Sequence, residues 1–209
     1  MSARSPYAVH PAVAHVQAIL ANLESTTGKS LEAWVRLVRA NGPTEVKERR
    51  TWLKAQGLGH HQAALVAERS VGQKAMAFDD TEAGYLRAAE GYVAHQYAGN
   101  KAALRPLYDA LLAAGLKAGP QAKACPCQTF VPLFRHHVFA QLKPSTASRI
   151  DVGLALGDPA QLKGGGSRLL VTGGFAKKDR ITHRMAVTQP SDVDDTLKRW
   201  LAAAYDRDA

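Results

Sequence analysis

The 209-residue chain has only two cysteines, and they flank a single proline as Cys125-Pro126-Cys127. Neighbours that close do not ordinarily reach the roughly 3.5–4.5 Å Cβ separation and orientation of a disulfide. A disulfide framework of the extracellular kind is therefore not what stabilises this chain. Long apolar runs are also lacking, and nothing approaches the run of about 20 residues that spans a bilayer. Met1 to Pro11 has no basic segment leading into an apolar stretch, so no secretory signal is expected. The resulting expectation is cytoplasmic residence with no membrane attachment. A Gly-x-Ser-x-Gly elbow, a phosphate loop and a carboxylate pair are absent as well. These absences weigh against an enzyme, and no cofactor is expected.

Negative charge is in short supply. The chain has 27 Lys and Arg against 18 Asp and Glu, a formal net charge of +9. The excess is uneven: residues 1–78 carry ten basic against five acidic side chains, and residues 123–190 carry ten against three. Residues 79–122 are near neutral, and the tail after 190 is acidic. Such an excess attracts polyanions by long-range attraction and counterion release, and nucleic acid is the commonest such partner.

The first 75 residues have helical periodicity. Pro11 suits a first turn, and Val13, Val16, Leu20 and Leu23 share a face up to Thr26-Thr27-Gly28. Ser30 caps a second helix carrying Leu31, Trp34, Val35 and Val38. After Asn41-Gly42-Pro43, a third helix is predicted from about Thr44 to Gln56. A fourth, bearing Ala63, Val66 and Ala67, follows Gly57-Leu58-Gly59 and ends near Gly72. Residues 76–99 read as a connection that includes a helical approach over Tyr85 to Ala98. Lys101 to Ala114 reads as a helix that tolerates Pro106 near its start.

Beyond Pro120 the period changes to that of strands. Short runs at Phe130–Leu133 and His137–Leu142 precede a clean alternation of Ile150, Val152 and Leu154 with Asp151 and Gly153. Leu169–Thr172 and Thr182–Thr188 follow, the last with His183, Met185 and Val187 on one face. Gly164-Gly165-Gly166 and Gly173-Gly174 mark turns. Ser191 and Asp194 resemble a capping box before a helix that docks Val193, Leu197, Trp200, Leu201 and Ala204. The expected fold is α+β: a small helical domain (1–75), a connection (76–99), and an α+β domain (100–209, starting as early as 82). The second domain is a mainly antiparallel sheet of about five strands flanked by helices.

Residues 53–66, Leu-Lys-Ala-Gln-Gly-Leu-Gly-His-His-Gln-Ala-Ala-Leu-Val, look like a helix-hairpin-helix element. Glycines permit backbone angles closed to other residues and allow a partner to approach the main chain. The next helix begins with unpaired N–H groups at the positive end of its dipole, which suits a phosphate oxygen. Ala63 is small enough for close helix packing. Lys47, Arg50 and Lys54 form one basic stripe on the preceding helix. Gly57, Gly59 and His60 would present main-chain N–H groups, and the stripe would supply charge to a phosphate backbone without reading sequence. A glycine turn that only packs two helices explains the same residues, and a basic helix face is usually just solvated.

Three other groupings compete. Cys125 and Cys127, joined by His136 or His137, have metal-ligand chemistry, but the one-residue spacer is short for zinc and no second ligand pair follows. His183 and Arg184, with Asp151 and Arg149 nearby on the sheet, are candidates for a small-molecule or protein-binding pocket, with Asp151 a possible partner for a histidine base. Arg135, Lys143, Arg149, Lys177, Lys178, Arg180 and Arg184, interleaved with Phe130, Phe134 and Phe139, resemble a stacking surface for single strands, although core packing also accounts for the phenylalanines.

Through Thr27-Gly28-Lys29-Ser30, Trp52-Leu53-Lys54 and Gly57-Leu58-Gly59-His60, the chain resembles the N-terminal domain of an uncharacterised bacterial two-domain family. The C-terminal resemblance covers Tyr97 to Tyr205. It is carried by Ala103-Leu104-Arg105-Pro106-Leu107-Tyr108, Phe139-Ala140, Pro144, Arg149-Ile150-Asp151-Val152-Gly153-Leu154, Thr182-His183-Arg184 and Trp200-Leu201-Ala202-Ala203-Ala204-Tyr205. Similar members tend to carry Lys or Arg where this chain has Cys127, Gln128, His136 and His137. The resemblance implies a helical domain followed by an α+β domain. It supplies no activity and no catalytic residues.

Overall fold

The computed structural model describes residues 5–72, 81–162, 164 and 166–209. Residues 73–80, where the expected helical domain ends and the connection begins, and Lys163 and Gly165, at the expected glycine turn, lie outside the described residues. Contacts divide the chain into two compact units, Val9–Ala88 and Met1–Ala8 with Ala89–Ala209. Among the described residues there are seven α-helices and one six-stranded antiparallel sheet. No helix among them is long and apolar enough to cross a membrane.

The helical unit holds α1 (Pro11–Thr27), α2 (Leu31–Asn41), α3 (Val46–Ala55), α4 (His60–Ser70) and the first part of α5 (Glu82–Gln96). α1 begins at an unexpected cap: the His10 Nδ1 accepts the Ala12 N–H at 3.1 Å. It ends where Gly28 turns left-handed at φ +72° and its N–H reaches the Glu24 carbonyl. Ser30 caps α2 as expected, accepting from the Ala33 N–H. The core is made from one face of each helix: Leu23, Trp34, Val38, Leu53, Leu58, Ala63, Val66 and Ala67. Each large side chain buried there contributes about 1.5–3 kcal/mol. Trp34 keeps its indole N–H satisfied on the Thr27 hydroxyl at 2.7 Å.

In the second unit a six-residue 3₁₀ segment, Gly99–Leu104, leads into α6 (Arg105–Leu116). The expected single helix from Lys101 is divided because Pro106 has no N–H to continue a helical ladder, whereas it fits the start of a new one. The strands are β1 (Lys123–Ala124), β2 (Val131–Phe134), β3 (Val138–Thr146), β4 (Arg149–Leu154), β5 (Leu169–Val171) and β6 (His183–Val187), in the order β1-β2-β3-β4-β6-β5. β3 runs on through Pro144, beyond the expected end at Leu142, and the register shifts there. Ile150, Val152 and Leu154 face Val187, Met185 and His183 across the β4–β6 ladder, so their common face is the buried one. α6 and α7 (Asp195–Asp206) bring Leu107, Leu111, Leu197 and Leu201 to the same core.

The start of α7 corrects the expected capping box. Asp194 is the cap, accepting the Leu197 N–H at 2.9 Å. Ser191 lies in a 3₁₀ turn, Pro190–Asp192, which Asp192 fastens by accepting from the Thr188 and Gln189 N–H groups. That anchored turn delays the helix until Asp195.

Candidate functional site

The α3–α4 turn is built on two buried side chains. Leu58 at its tip is 4% exposed and Ala63 one turn into α4 is fully buried, which closes the two helices on one another. Gly57 adopts φ +95°, a left-handed angle with open space around it. The N–H groups of the turn have definite destinations. Gly57 donates to the Lys54 carbonyl at 3.0 Å, Leu58 to the Leu53 carbonyl at 3.2 Å, and Gly59 to the Gln62 Oε1 at 2.9 Å. Gly57 and Gly59, expected to face phosphate, thus have acceptors within the chain. The N–H groups of His60, His61 and Gln62, in the first turn of α4, have none among the described residues. The open donors therefore lie one step further along than expected, and His60 is the first of them.

The basic stripe is partly engaged. Arg50 pairs with Glu68 of α4 at 2.5 Å. Lys47 and Lys54 are exposed and pair with no carboxylate among the described residues. Arg49, next to the stripe, turns inward and donates to the Pro43 carbonyl and the Ser70 hydroxyl, each at 2.6 Å. Three imidazoles gather at the start of α4: His61 meets His60 at 5.3 Å and His15 of α1 at 5.5 Å between ring centroids.

The sheet separates the residues that sequence proximity put together. Arg149, Asp151 and Arg184 share the face away from the core, where Asp151 pairs with Arg149 at 3.0 Å and with Arg184 at 3.2 Å. Lys143 stands opposite Asp151 in the β3–β4 register. Asp151 is thereby held by neighbouring cations. His183 is on the other face, 2% exposed, with its Nδ1 at 2.8 Å from the Thr182 hydroxyl. Strand alternation therefore prevents Asp151 from orienting His183 as a base, and it places Arg184 away from that imidazole. Burial, with the charge of Arg207, pushes the His183 pKa below its ordinary value, favouring the neutral ring.

Burial pushes the Cys125 thiol up to about 12 and also raises that of Cys127, which favours the protonated thiols. Among the described residues no three His, Cys, Asp or Glu side chains converge as a metal site. Nor does the proposed stacking surface gather its phenylalanines: Phe139 is fully buried, edge-on to Tyr205 at 5.5 Å. Arg135 covers the ring of Tyr205 at 4.6 Å.

Sequence reasoning missed Asp208, whose side chain is 3% exposed. It accepts the N–H groups of His136 at 3.0 Å and His137 at 2.7 Å, contacts the His137 ring at 3.0 Å, and pairs with Arg180 at 2.6 Å. A single Asp beyond the last helix has no periodicity or spacing that would mark it.

Residues 15–70 match a family described as a domain of unknown function (DUF4287). Comparison with curated proteins gives no match, and neither does comparison with solved structures. Residues 93–208, more than half of the chain, match the family described as a domain of unknown function (DUF5655). The chain therefore belongs to the DUF5655 family, as a two-domain member whose DUF5655 region follows a DUF4287 region.

Proposed function

We propose that this protein is a non-enzymatic accessory of nucleic acid in the cytoplasm, contacting the phosphate backbone through the start of α4. The observation that carries this reading is the set of open N–H groups at His60, His61 and Gln62, preceded by the exposed Lys54 of α3. An eleven-residue helix presents the positive end of its dipole at that point. Lys47 and Lys54 add charge that no carboxylate among the described residues neutralises. Backbone N–H groups and lysines recognise phosphate and not base edges, so binding is sequence-independent and steeply salt-dependent.

Fluorescence anisotropy of the full chain with labelled duplex and single-stranded oligonucleotides, across a salt series, tests this. Wild-type protein is expected to bind any sequence with Kd on the order of 10⁻⁴–10⁻⁶ M. Lys47→Glu/Lys54→Glu should weaken binding about tenfold or more and reduce the log–log salt slope by roughly 2 on duplex. No binding at low salt, or an unchanged affinity and slope in the folded double variant, would overturn the reading.

A further inference from the structure

We infer that the α+β unit carries a binding site for a mononucleotide, in a cleft beside β6 that is separate from the α3–α4 turn. The cleft is about 700 Å³ and its lining includes Phe175, Lys178, Asp179, Arg180, Thr182 and Arg207. That volume lies within the roughly 300–1,000 Å³ typical of small-molecule sites.

Its charges are arranged for an anion. Arg207 and Lys178 are exposed and pair with no carboxylate among the described residues. Arg180 is fixed from two sides: its Nη2 donates to Asp208, and its Nε donates to the Val138 carbonyl at 3.2 Å. Asp208 offsets the charge of Arg180, which leaves Lys178 and Arg207 against the single carboxylate of Asp179. Two exposed cations beside a fixed guanidinium suit a phosphate monoester. Asp179 spends one oxygen on the Ile181 N–H at 3.1 Å, and its other oxygen remains to accept a sugar hydroxyl.

Two further features point to a ring and to a binding role for the lysine. Phe175 is 48% exposed at the cleft, an aromatic face open to stacking by a planar base. Lys178 sits at φ +58°, the one non-glycine residue with positive φ among the described residues. Glycine adopts that angle without strain, so the lysine is held there at a conformational cost, at a position that lines the cleft. A phosphate, a hydroxyl and a flat ring together define a nucleotide.

Calorimetric titration of the full chain at low salt with AMP, GMP, adenosine, ribose 5-phosphate and inorganic phosphate tests the assignment. AMP or GMP is expected to bind with Kd below about 1 mM, and each fragment about tenfold more weakly. Arg207→Gln and Lys178→Gly should each weaken the nucleotide about tenfold, and Lys178→Gly should at the same time raise Tm. Phe175→Ala should weaken the nucleotide and leave inorganic phosphate unchanged. Lys47→Glu/Lys54→Glu should bind AMP as wild type does, which separates this site from the α4 site. The inference is overturned if neither nucleotide binds at millimolar concentration. It is equally overturned if adenosine or phosphate binds as tightly as AMP, or if Arg207→Gln and Lys178→Gly both keep wild-type affinity.

Discussion

Replacing Asp208 with asparagine should destabilise the α+β unit far more than its place just beyond α7 suggests. The wild-type carboxylate divides its two oxygens: one accepts the His136 and His137 N–H groups, and the other meets Arg180 and the His137 ring. An asparagine has a single acceptor oxygen, so its NH₂ must face donors on one side or the other. Two contacts and the formal charge are lost. Hydrogen bonds to a charged group are worth roughly 1.5–3 kcal/mol each. Arg180 is 48% exposed and regains water when released, which discounts its share. The expected loss is about 2–3 kcal/mol, or a fall in Tm of roughly 5–10 °C for a unit of this size. The pH dependence gives a second handle. Burial would raise the Asp208 pKa, but the His137 N–H and ring and the Arg180 charge override it and hold the group below its ordinary value. The folded state therefore binds fewer protons than the unfolded chain in that range. The contribution is complete above the ordinary Asp pKa of about 3.9 and is lost as pH falls below it. Urea unfolding, with amide exchange in β3 and β4 reporting on this unit, measures both effects. An Asp208→Asn variant within about 0.5 kcal/mol of wild type would refute the reasoning, as would a gap that stays the same from about pH 7 down to about pH 3.

Two further outcomes follow from groups whose hydrogen bonding is unusual. The Tyr97 hydroxyl is buried with no partner among the described residues, although its ring stacks on Tyr108 at 4.6 Å. Tyr97→Phe removes an unrewarded desolvation and should be neutral or stabilising by up to about 1 kcal/mol, whereas Tyr7→Phe, which breaks the 3.1 Å Tyr7–Tyr108 hydroxyl contact, should cost about that much. Chemical denaturation of both variants decides it, and a loss above about 1 kcal/mol for Tyr97→Phe contradicts the account. In the helical unit, the His10 cap works only while Nδ1 is an acceptor, and burial already lowers the His10 pKa. The folded state again binds fewer protons. This stability is complete above the ordinary histidine value of about 6.5 and declines as pH falls through it. His10→Asn keeps an N-cap acceptor without the titration, so its amide exchange in α1 should lose that part of the pH dependence, and an unchanged profile would exclude the cap as its source.

The parts of the fold that could be read from sequence are those written in local periodicity. Ile150, Val152 and Leu154 alternate with Asp151 and Gly153, and the same alternation decides which face of β4 is buried. Ser30 and Gly28 punctuate α1 and α2 where their chemistry predicts. β1 was not legible because two residues, Lys123 and Ala124, cannot display a period, and their pairing depends on β2, with Tyr7 bridging Ala124 from a distant part of the chain. The extra strand accounts for the difference between about five expected strands and six observed. Pro144 hid the length of β3, since a proline cannot donate to the ladder; it sits where the register with β4 shifts.

The candidate sites divide along the same line. Gly57-Leu58-Gly59 was recognisable as a turn because φ and burial are local demands. Which N–H groups remain open depended on Gln62 reaching back to Gly59, a choice that several side chains at that position could have made differently. On the sheet, adjacency in sequence was misleading: His183 and Arg184 are neighbours whose side chains the pleat sends to opposite faces. Of the groups that act on His183, Arg207 comes from far along the chain and acts by charge, whereas Thr182 is its chain neighbour and brings its hydroxyl to the ring at the edge of the cleft. A site assembled by a sheet, a 3₁₀ turn and the residues after a terminal helix has no linear motif. Its clearest local trace is Lys178, a lysine held where glycine would be unstrained, and that becomes visible only once the backbone is in place.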